Sequence, residues 1–221
     1  MKTVAVIPAF NEATVIAEVV RGSLEEVDQV VVVDDCSSDK TAEVARKAGA
    51  LAISHALQRG AGRATTTGLE AALRLRADLI VTLDADGQHL PAEIGQVLEP
   101  LRLGRADMVV GCRPLESAHM PLIRRMGNRF ANLWTWAILG VSVSDTQSGF
   151  RAYSAETVRK LPLEARGYEF CSHSLGEAAR LGLKVEEVPI TVVYTDYSRS
   201  KGQSLWTSMK TLGRIAREGL R

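Results

Sequence analysis

Two aspartates that follow an apolar run have the side chains for metal chemistry. The run Leu79–Leu83 ends at Asp84, and Asp86 and Gln88 follow at intervals of two residues. A short apolar run predicts a buried strand, so both carboxylates would lie at its carboxyl end, where open α/β sheets bind ligands. Their hard oxygen ligands suit Mg²⁺ or Mn²⁺, which commonly shares substrate phosphates. This pattern predicts a cation and diphosphate site, although Asp-x-Asp-Gly is also typical of a simple turn.

Two other predicted strands also end in polar residues. Asn11 and Glu12 follow the first of them, and Asp34, Asp35 and Asp39 end or follow the second. The carboxyl ends of parallel strands meet at one edge of a sheet, so three carboxylate-bearing segments are expected to converge there. Helix capping is the alternative role for Glu12, Asp35 and Asp39.

The elements that position these residues follow from the spacing of the apolar residues. In the first 111 residues, short apolar runs alternate with helical patterns, which is typical of parallel βαβ units. The predicted strands are Thr3–Pro8, Gln29–Asp34, Leu51–Ser54, Asp78–Asp84 and Asp107–Gly111. The predicted helices lie near Glu12–Arg21, Asp39–Lys47, Gly62–Leu75 and Pro91–Leu103.

Beyond Gly111 the pattern changes to shorter elements. The predicted elements are a helix that ends at Leu139, a strand near Gly149–Tyr153, a helix near Cys171–Leu181, strands on either side of Pro189 and a helix over Ser204–Leu220. Residues 124–139 and 204–221 combine Arg or Lys with Leu, Ile and Trp, a composition typical of helices that lie in a membrane interface. Packing of these apolar residues on the core or on a partner is the alternative.

The charge is distributed unevenly along the chain. Residues 1–111 contain 11 Lys and Arg against 16 Asp and Glu, a net charge of −5, whereas residues 112–221 contain 16 against 10, a net charge of +6. The second half is therefore expected to face something anionic. A membrane surface or a phosphorylated substrate is favoured over nucleic acid, because the basic residues are not interleaved with a nucleic-acid-binding motif.

Composition and motifs exclude several classes of protein. A hydrophobic fraction of 46% with 24% charged residues is ordinary for a globular protein, and neither a signal-like start nor an uncharged apolar run of 18 residues is present.

Three cysteines without metal-ligand spacing predict free, buried thiols in a reducing cytoplasm. The four histidines show no ligand spacing, which favours surface or packing roles. A dinucleotide fold is not expected, because Pro-Ala-Phe-Asn-Glu, not Gly-x-Gly-x-x-Gly, follows the first strand.

Four motifs, taken in order, resemble the family 2 glycosyltransferases, and among them the dolichol-phosphate mannose synthase and polyprenyl-phosphate glycosyltransferase group. They are Val-Ile-Pro-Ala-Phe-Asn-Glu, Val-Val-Asp-Asp-Cys-Ser-Ser-Asp-Lys-Thr, Asp-Ala-Asp-Gly-Gln-His and Asp-Thr-Gln-Ser-Gly-Phe-Arg, and the resemblance extends over residues 3–205. It implies a GT-A type α/β fold for nucleotide-diphosphosugar transfer, with a mostly parallel central sheet flanked by helices. It also implies one domain over residues 1–221, with a nucleotide-sugar-binding half at 1–111 and an acceptor-side half at 112–221.

The resemblance also implies roles for individual residues. Those implied to bind the donor nucleotide are Pro8, Phe10, Glu12, Val33, Asp35, Asp84 and Ala85. Those implied to bind the metal are Asp86 and Gln88, and those near the acceptor phosphate are Arg113, Arg124 and Asn128, with Arg125 as the alternative to Arg124. Arg199 matches a donor-phosphate arginine. Phe10 replaces a tyrosine, and Leu205 replaces a lysine whose charge Lys201 is expected to supply.

The implied activity is metal-dependent, inverting transfer of a hexose from a nucleotide diphosphosugar to a dolichyl or undecaprenyl phosphate at the cytoplasmic membrane face. Asp86 with its metal, Arg199 and Lys201 would stabilise the departing diphosphate. A phosphate acceptor is already ionised at neutral pH, so a general base is optional. A hydroxyl of a soluble or cell-wall glycan would need one, and Asp145 is the candidate, with a turn residue as its alternative role. A catalytically silent nucleotide-sugar-binding or scaffold protein is the third hypothesis. No oligomeric state is predicted.

Overall fold

The computed structural model describes residues 1–113, 143–162 and 169–193. Within these ranges a seven-stranded sheet has helices packed on both faces, which confirms the predicted α/β class. The strands are β1 (Thr3–Ala9), β2 (Gln29–Asp34), β3 (Leu51–Ser54), β4 (Leu79–Thr82), β5 (Met108–Cys112), β6 (Arg151–Ser154) and β7 (Val185–Pro189). The helices are α1 (Ile16–Glu26), α2 (Thr41–Lys47), α3 (Ala61–Arg74), α4 (Ile94–Arg102), α5 (Ala155–Lys160) and α6 (Glu169–Arg180), with a 3₁₀ turn at Pro91–Glu93.

The sheet is mostly parallel, as predicted. Its order is β3-β2-β1-β4-β6-β5-β7, and β6 alone among these strands runs antiparallel to its neighbours, β4 and β5. The other six strands therefore end at the same edge of the sheet, where β6 begins. The segments after β1, β2, β4 and β5 meet at this edge with the loop that enters β6.

The central strands are buried on both faces, which explains their continuous apolar sequences. Along β1, Ala5 and Ile7 pack into the core beneath α1, α2 and α4, whereas Val4 and Val6 pack into the core beneath α3, α5 and α6. Each fully buried aliphatic side chain of this kind contributes about 1.5–3 kcal/mol relative to an exposed one. The two hydrophobic clusters hold the sheet rigid behind its polar edge.

Helix α1 differs most from its prediction, because it spans Ile16–Glu26 and not Glu12–Arg21. Asn11 adopts a φ of 56°, and the carbonyl of Glu12 accepts hydrogen bonds from the backbone N–H groups of both Val15 and Ile16, so a turn precedes the helix. Gly22 does not end the helix. A Cβ at Gly22 would lie 3.1 Å from Pro91 Cγ, so the glycine lets α1 pack closely against the turn before α4.

Three further differences concern the second half. Helix α5 was not predicted, and its N-cap is Ser154, whose hydroxyl accepts a hydrogen bond from Thr157 N. The predicted strand before Pro189 is confirmed as β7. After Pro189 the described residues, which end at Val193, form an isolated bridge between Val192 and His89 and no strand. The predicted helices that end at Leu139 and span Ser204–Leu220 lie outside the described residues. No described helix is both long and apolar enough to cross a membrane.

Candidate active site at the carboxyl edge of the sheet

The segments after β1 and β2 are tied together by hydrogen bonds. Asn11 N donates to Ser37 Oγ at 2.8 Å, and Asn11 Oδ1 accepts from Ser38 N at 2.8 Å. Glu12 N donates to Thr41 Oγ1 at 2.8 Å. The two polar strand ends therefore form one unit, with the buried Glu12 inside it.

Asp35 lies at the centre of a hydrogen-bonding network with the N-terminus of α3. Its carboxylate contacts His55 Nδ1 at 2.7 Å and accepts hydrogen bonds from Arg59 N at 2.9 Å and Gly60 N at 2.7 Å. His55 Nε2 lies 3.0 Å from Thr67 Oγ1 on α3. A packing role for His55 agrees with this environment, but its contact with Asp35 had no signal in the sequence. Asp35 therefore fixes the loop over residues 55–60.

The segment after β4 brings two carboxylates together in a partly buried place. Asp86 Oδ1 accepts a hydrogen bond from Gln88 N at 3.0 Å, and Asp84 N donates to the buried His89 at 3.3 Å. Burial raises the pKa of Asp86, and the neighbouring charge of Asp84 and the weaker one of Glu12 raise it further. Asp84, Asp86 and Glu12 therefore lie close enough together for their charges to interact, and negative charge is crowded at this point.

The carboxylate oxygens of Asp84 and Asp86 are of the type that suits a divalent cation. Crowded carboxylates favour a cation because it offsets their mutual repulsion. Within the described ranges, no three or more His, Cys, Asp and Glu side chains form a group able to hold a metal ion. A metal at Asp86 would take few ligands from the protein and further ligands from the phosphates of the donor, as Mg²⁺ commonly does.

The loop over residues 145–149 lies directly against Asp84. A Cβ at Gly149 would be 3.0 Å from both Cγ and Oδ2 of Asp84 and closer still to Oδ1, so a larger residue would displace this carboxylate. Thr82 Oγ1 donates a hydrogen bond to the carbonyl of Gly149 at 2.7 Å. The motif Asp-Thr-Gln-Ser-Gly-Phe-Arg marked this loop in the sequence, but the role of its glycine was missed.

Arg113 and Asp145 form a bidentate ion pair at the end of β5. Arg113 Nε lies 2.5 Å from Asp145 Oδ2, and Arg113 Nη2 lies 2.8 Å from Asp145 Oδ1. The Asp145 side chain is 4% exposed and that of Arg113 is 25% exposed. The structure thus brings a residue predicted to bind the acceptor phosphate into contact with the residue predicted as a base for a hydroxyl acceptor.

The remaining predicted site residues have different environments. Phe10 is 40% exposed beside the segment after β1, and Pro8 is half-buried. Val33 and Ala85 are buried in the two hydrophobic clusters, so their side chains pack within the core. The residues that lie outside the described ranges are Arg124, Arg125, Asn128, Arg199, Lys201 and Leu205.

The three cysteines are free thiols, as predicted, but their burial differs. Burial and a hydrogen bond to Glu187 raise the pKa of Cys112 to about 12, so this thiol stays protonated. Burial also raises the pKa of Cys171. Cys112 is buried as predicted and Cys171 is half-buried. The prediction was wrong for Cys36, which is exposed in the turn after Asp35 with a φ of 65°.

The mixed sheet and the acidic segment at its edge agree with the GT-A type fold that the motifs imply. The model of the family described as Glycosyl transferase family 2 matches residues 4–161, and the chain belongs to this family. It is therefore a glycosyltransferase, as its motifs predicted, and the silent binding protein is no longer a competing hypothesis.

Two curated relatives are similar over nearly their whole length. The UDP-N-acetylglucosamine–dolichyl-phosphate N-acetylglucosaminyltransferase of Methanococcus voltae is 36% identical over 233 residues, which cover 95% of this chain and 93% of the relative. The undecaprenyl-phosphate mannosyltransferase of Micrococcus luteus is 35% identical over 215 residues, which cover 91% and 87%. The predicted resemblance to polyprenyl-phosphate glycosyltransferases is confirmed.

A solved structure shares the fold. The glucosyl-3-phosphoglycerate synthase of Mycobacterium tuberculosis, in complex with Mn²⁺, UDP-glucose and phosphoglyceric acid, superimposes with a TM-score of 0.78. The match covers 99% of this chain and 79% of that one at 22% identity. The GT-A fold predicted from the motifs is therefore confirmed.

Proposed function

We propose that this enzyme transfers a hexose from a nucleotide diphosphosugar to a polyprenyl phosphate, with inversion at the sugar and with Mg²⁺ or Mn²⁺ held by Asp86 and Gln88. The supporting observation is that crowded carboxylates and the ion-paired Arg113 lie at one sheet edge and are joined by the loop over residues 145–149. On one side of this loop the carboxylates would bind a cation, as a metal-bound donor requires. On the other side Arg113 would bind an anion, as a phosphate acceptor requires.

The donor side comprises the segments after β1, β2 and β4. Asp35 and the loop over residues 55–60 are proposed to border the nucleoside, and Asp84 is proposed to lie near the phosphates. A bound cation would offset the negative charge that develops on the departing diphosphate. Arg199 and Lys201 are proposed to contribute positive charge to the same diphosphate, as the resemblance implies.

The acceptor side favours a phosphate over a hydroxyl. Asp145 uses both carboxylate oxygens to bind Arg113, so it is poorly placed to remove a proton from a sugar hydroxyl. It instead orients the guanidinium, whose planar geometry is suited to phosphate. Polyprenyl phosphates are named for both curated relatives above, and Arg124 and Asn128 are proposed to complete the acceptor site.

A donor panel tests this function. Release of nucleoside diphosphate from UDP-hexoses and GDP-mannose is measured with and without undecaprenyl phosphate, in Mg²⁺, Mn²⁺ or chelator. We expect one donor to be consumed rapidly only when both metal and lipid phosphate are present. Metal-independent consumption, or equal stimulation by a neutral glycan, would contradict the proposal.

Cys36 provides a reporter for the nucleoside pocket. Because Cys36 is exposed next to Asp35, whereas Cys112 is buried with a pKa of about 12, iodoacetamide is expected to modify Cys36 first at neutral pH. Saturating nucleotide with Mg²⁺ should slow this modification about tenfold or more through simple occlusion. Mass spectrometry of the peptide checks the site, and Cys36→Ser should lack the rapid reaction. An unchanged rate with bound nucleotide would place the nucleoside elsewhere.

Binding to the membrane surface is expected from the +6 charge of residues 112–221 and from the basic amphipathic segments at 124–139 and 204–221. The protein should co-sediment with vesicles that contain anionic lipid, and 0.5 M salt should release it because ions screen surface charge. Vesicles of neutral lipid are the control. Equal sedimentation with both vesicle types, or none with either, would contradict peripheral binding by charge.

A further inference from the structure

The loop over residues 145–149 connects the two sides of the candidate site. At its start, Asp145 binds Arg113, and at its end, Gly149 lies against the carboxylate of Asp84. Asp145 and Gly149 are only four positions apart in the chain, so a shift of the loop would move both contacts. The position of this loop therefore determines how the acceptor-side and donor-side groups face each other.

The side chain of Arg151 holds this loop from within the core. Its Nε donates to the carbonyl of Ser148 and its Nη2 donates to the carbonyl of Thr146, each at 2.8 Å. Its Nη1 donates to the carbonyl of Cys171 at 2.7 Å and to Ser174 Oγ at 2.8 Å. The guanidinium thus ties the loop to the first turns of α6, and three of its four acceptors are backbone carbonyls.

A buried arginine with these partners is costly, which points to a geometric role. Arg151 is 1% exposed, and within the described ranges no carboxylate forms an ion pair with it. Burying a charge without a direct ion pair costs several kcal/mol, which the hydrogen bonds and the nearby charge of Asp145 must offset. An apolar residue would fill this strand position at lower cost, but it could not fix the carbonyls of Thr146 and Ser148.

Two other contacts fix the same loop from different sides. Gln147 Nε2 donates to Ser172 Oγ on α6 at 2.8 Å. On the sheet side, Thr82 Oγ1 donates to the carbonyl of Gly149, and Thr82 pairs directly with Arg151 between β4 and β6. The loop is therefore anchored to α6 by Arg151 and Gln147 and to β4 by Thr82.

We propose that Arg151 is a positioning residue, which holds the loop over residues 145–149 so that Asp145 orients Arg113 and Gly149 sets the position of Asp84. The role rests on the proposed function, which assigns the Asp145–Arg113 contact to the acceptor side and the Gly149–Asp84 contact to the donor side. Arg151 itself touches neither substrate. It acts through the loop carbonyls of Thr146 and Ser148, which lie between Asp145 and Gly149.

The first test compares Arg151→Lys with Arg180→Lys. Lysine keeps the positive charge of residue 151, but its single nitrogen cannot reach all four acceptors, whereas Arg180 lies exposed on α6 and is a matched control. We expect Arg151→Lys to raise the KM for polyprenyl phosphate about tenfold and to lower kcat about tenfold or more, with Arg180→Lys within about twofold of the wild type. The active fraction is measured by nucleotide titration. A purely structural role would lower that fraction and leave both KM values unchanged.

Thr82→Val is the second variant, because valine preserves the shape and β propensity of this buried strand residue and removes the hydroxyl that donates to the carbonyl of Gly149. It should raise the KM for the nucleotide sugar several-fold and weaken metal-dependent nucleotide binding in calorimetry. Wild-type KM values in both variants would overturn the proposed role of Arg151. If the wild type transfers no sugar to polyprenyl phosphate, the proposed acceptor fails instead. The calorimetry of Thr82→Val and Arg151→Lys then still decides whether the loop positions Asp84.

Discussion

Asp86→Ala is expected to abolish sugar transfer while the protein remains folded. Asp86 lies in a partly buried cluster in which Asp84 and Glu12 already disfavour its negative charge, so its loss removes repulsion in the metal-free protein. The free energy of unfolding of Asp86→Ala at neutral pH should therefore equal or exceed that of the wild type. Turnover should fall about 10³-fold or more, because the stabilisation of the departing diphosphate is lost with the cation.

Calorimetry separates loss of the metal from loss of the nucleotide. In Asp86→Ala, nucleotide affinity should become insensitive to Mg²⁺ and Mn²⁺, whereas Glu99→Ala, which removes an exposed carboxylate from α4, should keep the wild-type dependence. Asp86→Asn should behave as Asp86→Ala does, since an amide is a weaker metal ligand than a carboxylate. Metal-dependent nucleotide binding that survives in both Asp86 variants would show that the cation is held elsewhere.

Replacement of Arg113 is expected to impair the use of acceptor without affecting the donor. Arg113→Gln should raise the KM for polyprenyl phosphate about 10- to 100-fold, because a charge-assisted contact with the phosphate is lost. It should also destabilise the protein by about 3–5 kcal/mol, because the buried Asp145 would lose its partner. Nucleotide affinity should stay within about twofold of the wild type.

The double variant Arg113→Gln with Asp145→Asn separates binding from stability. Because neither side chain is then charged, stability should recover substantially in denaturant titration, but the KM for polyprenyl phosphate should remain high. Asp145→Asn alone should retain part of the activity, since Arg113 keeps its charge. Recovery of full activity in the double variant would show that Arg113 does not bind the acceptor. If the wild type uses only a hydroxyl acceptor and Asp145→Asn loses kcat completely, Asp145 is a general base.

The central strands could be predicted from the sequence because both of their faces are buried. Strand β2 has the predicted bounds, and β1 differs by a single residue. The partly exposed edge strand β3 also has the predicted bounds. The antiparallel direction of β6 could not be predicted, since the apolar pattern of a strand does not depend on its direction. The late start of α1 depends on the backbone of Asn11, and its continuation through Gly22 depends on packing against Pro91, which is distant in sequence.

The acidic groups of the site could be predicted, but their contacts could not. Carboxylates that directly follow a parallel strand are expected at the carboxyl edge of the sheet, because the ends of parallel strands share that edge. The contacts of Asp35 with His55 and of Asp145 with Arg113 join residues 20 and 32 positions apart. No local pattern encodes such pairs. For the same reason, Gly149 and Arg151 were visible only as part of a motif, whereas their roles depend on where the loop meets Asp84 and α6.

The most direct test of the proposed transfer is the chemical identity of the product. Purified protein is incubated with the productive nucleotide [¹⁴C]hexose, Mg²⁺ or Mn²⁺, undecaprenyl phosphate and a neutral glycan together, and the organic phase is analysed by mass spectrometry and mild acid hydrolysis. The proposed function predicts that the label enters the organic phase as an acid-labile hexosyl phosphate diester of the polyprenol. Label that remains in the aqueous phase as an extended glycan, with no lipid product, would contradict it.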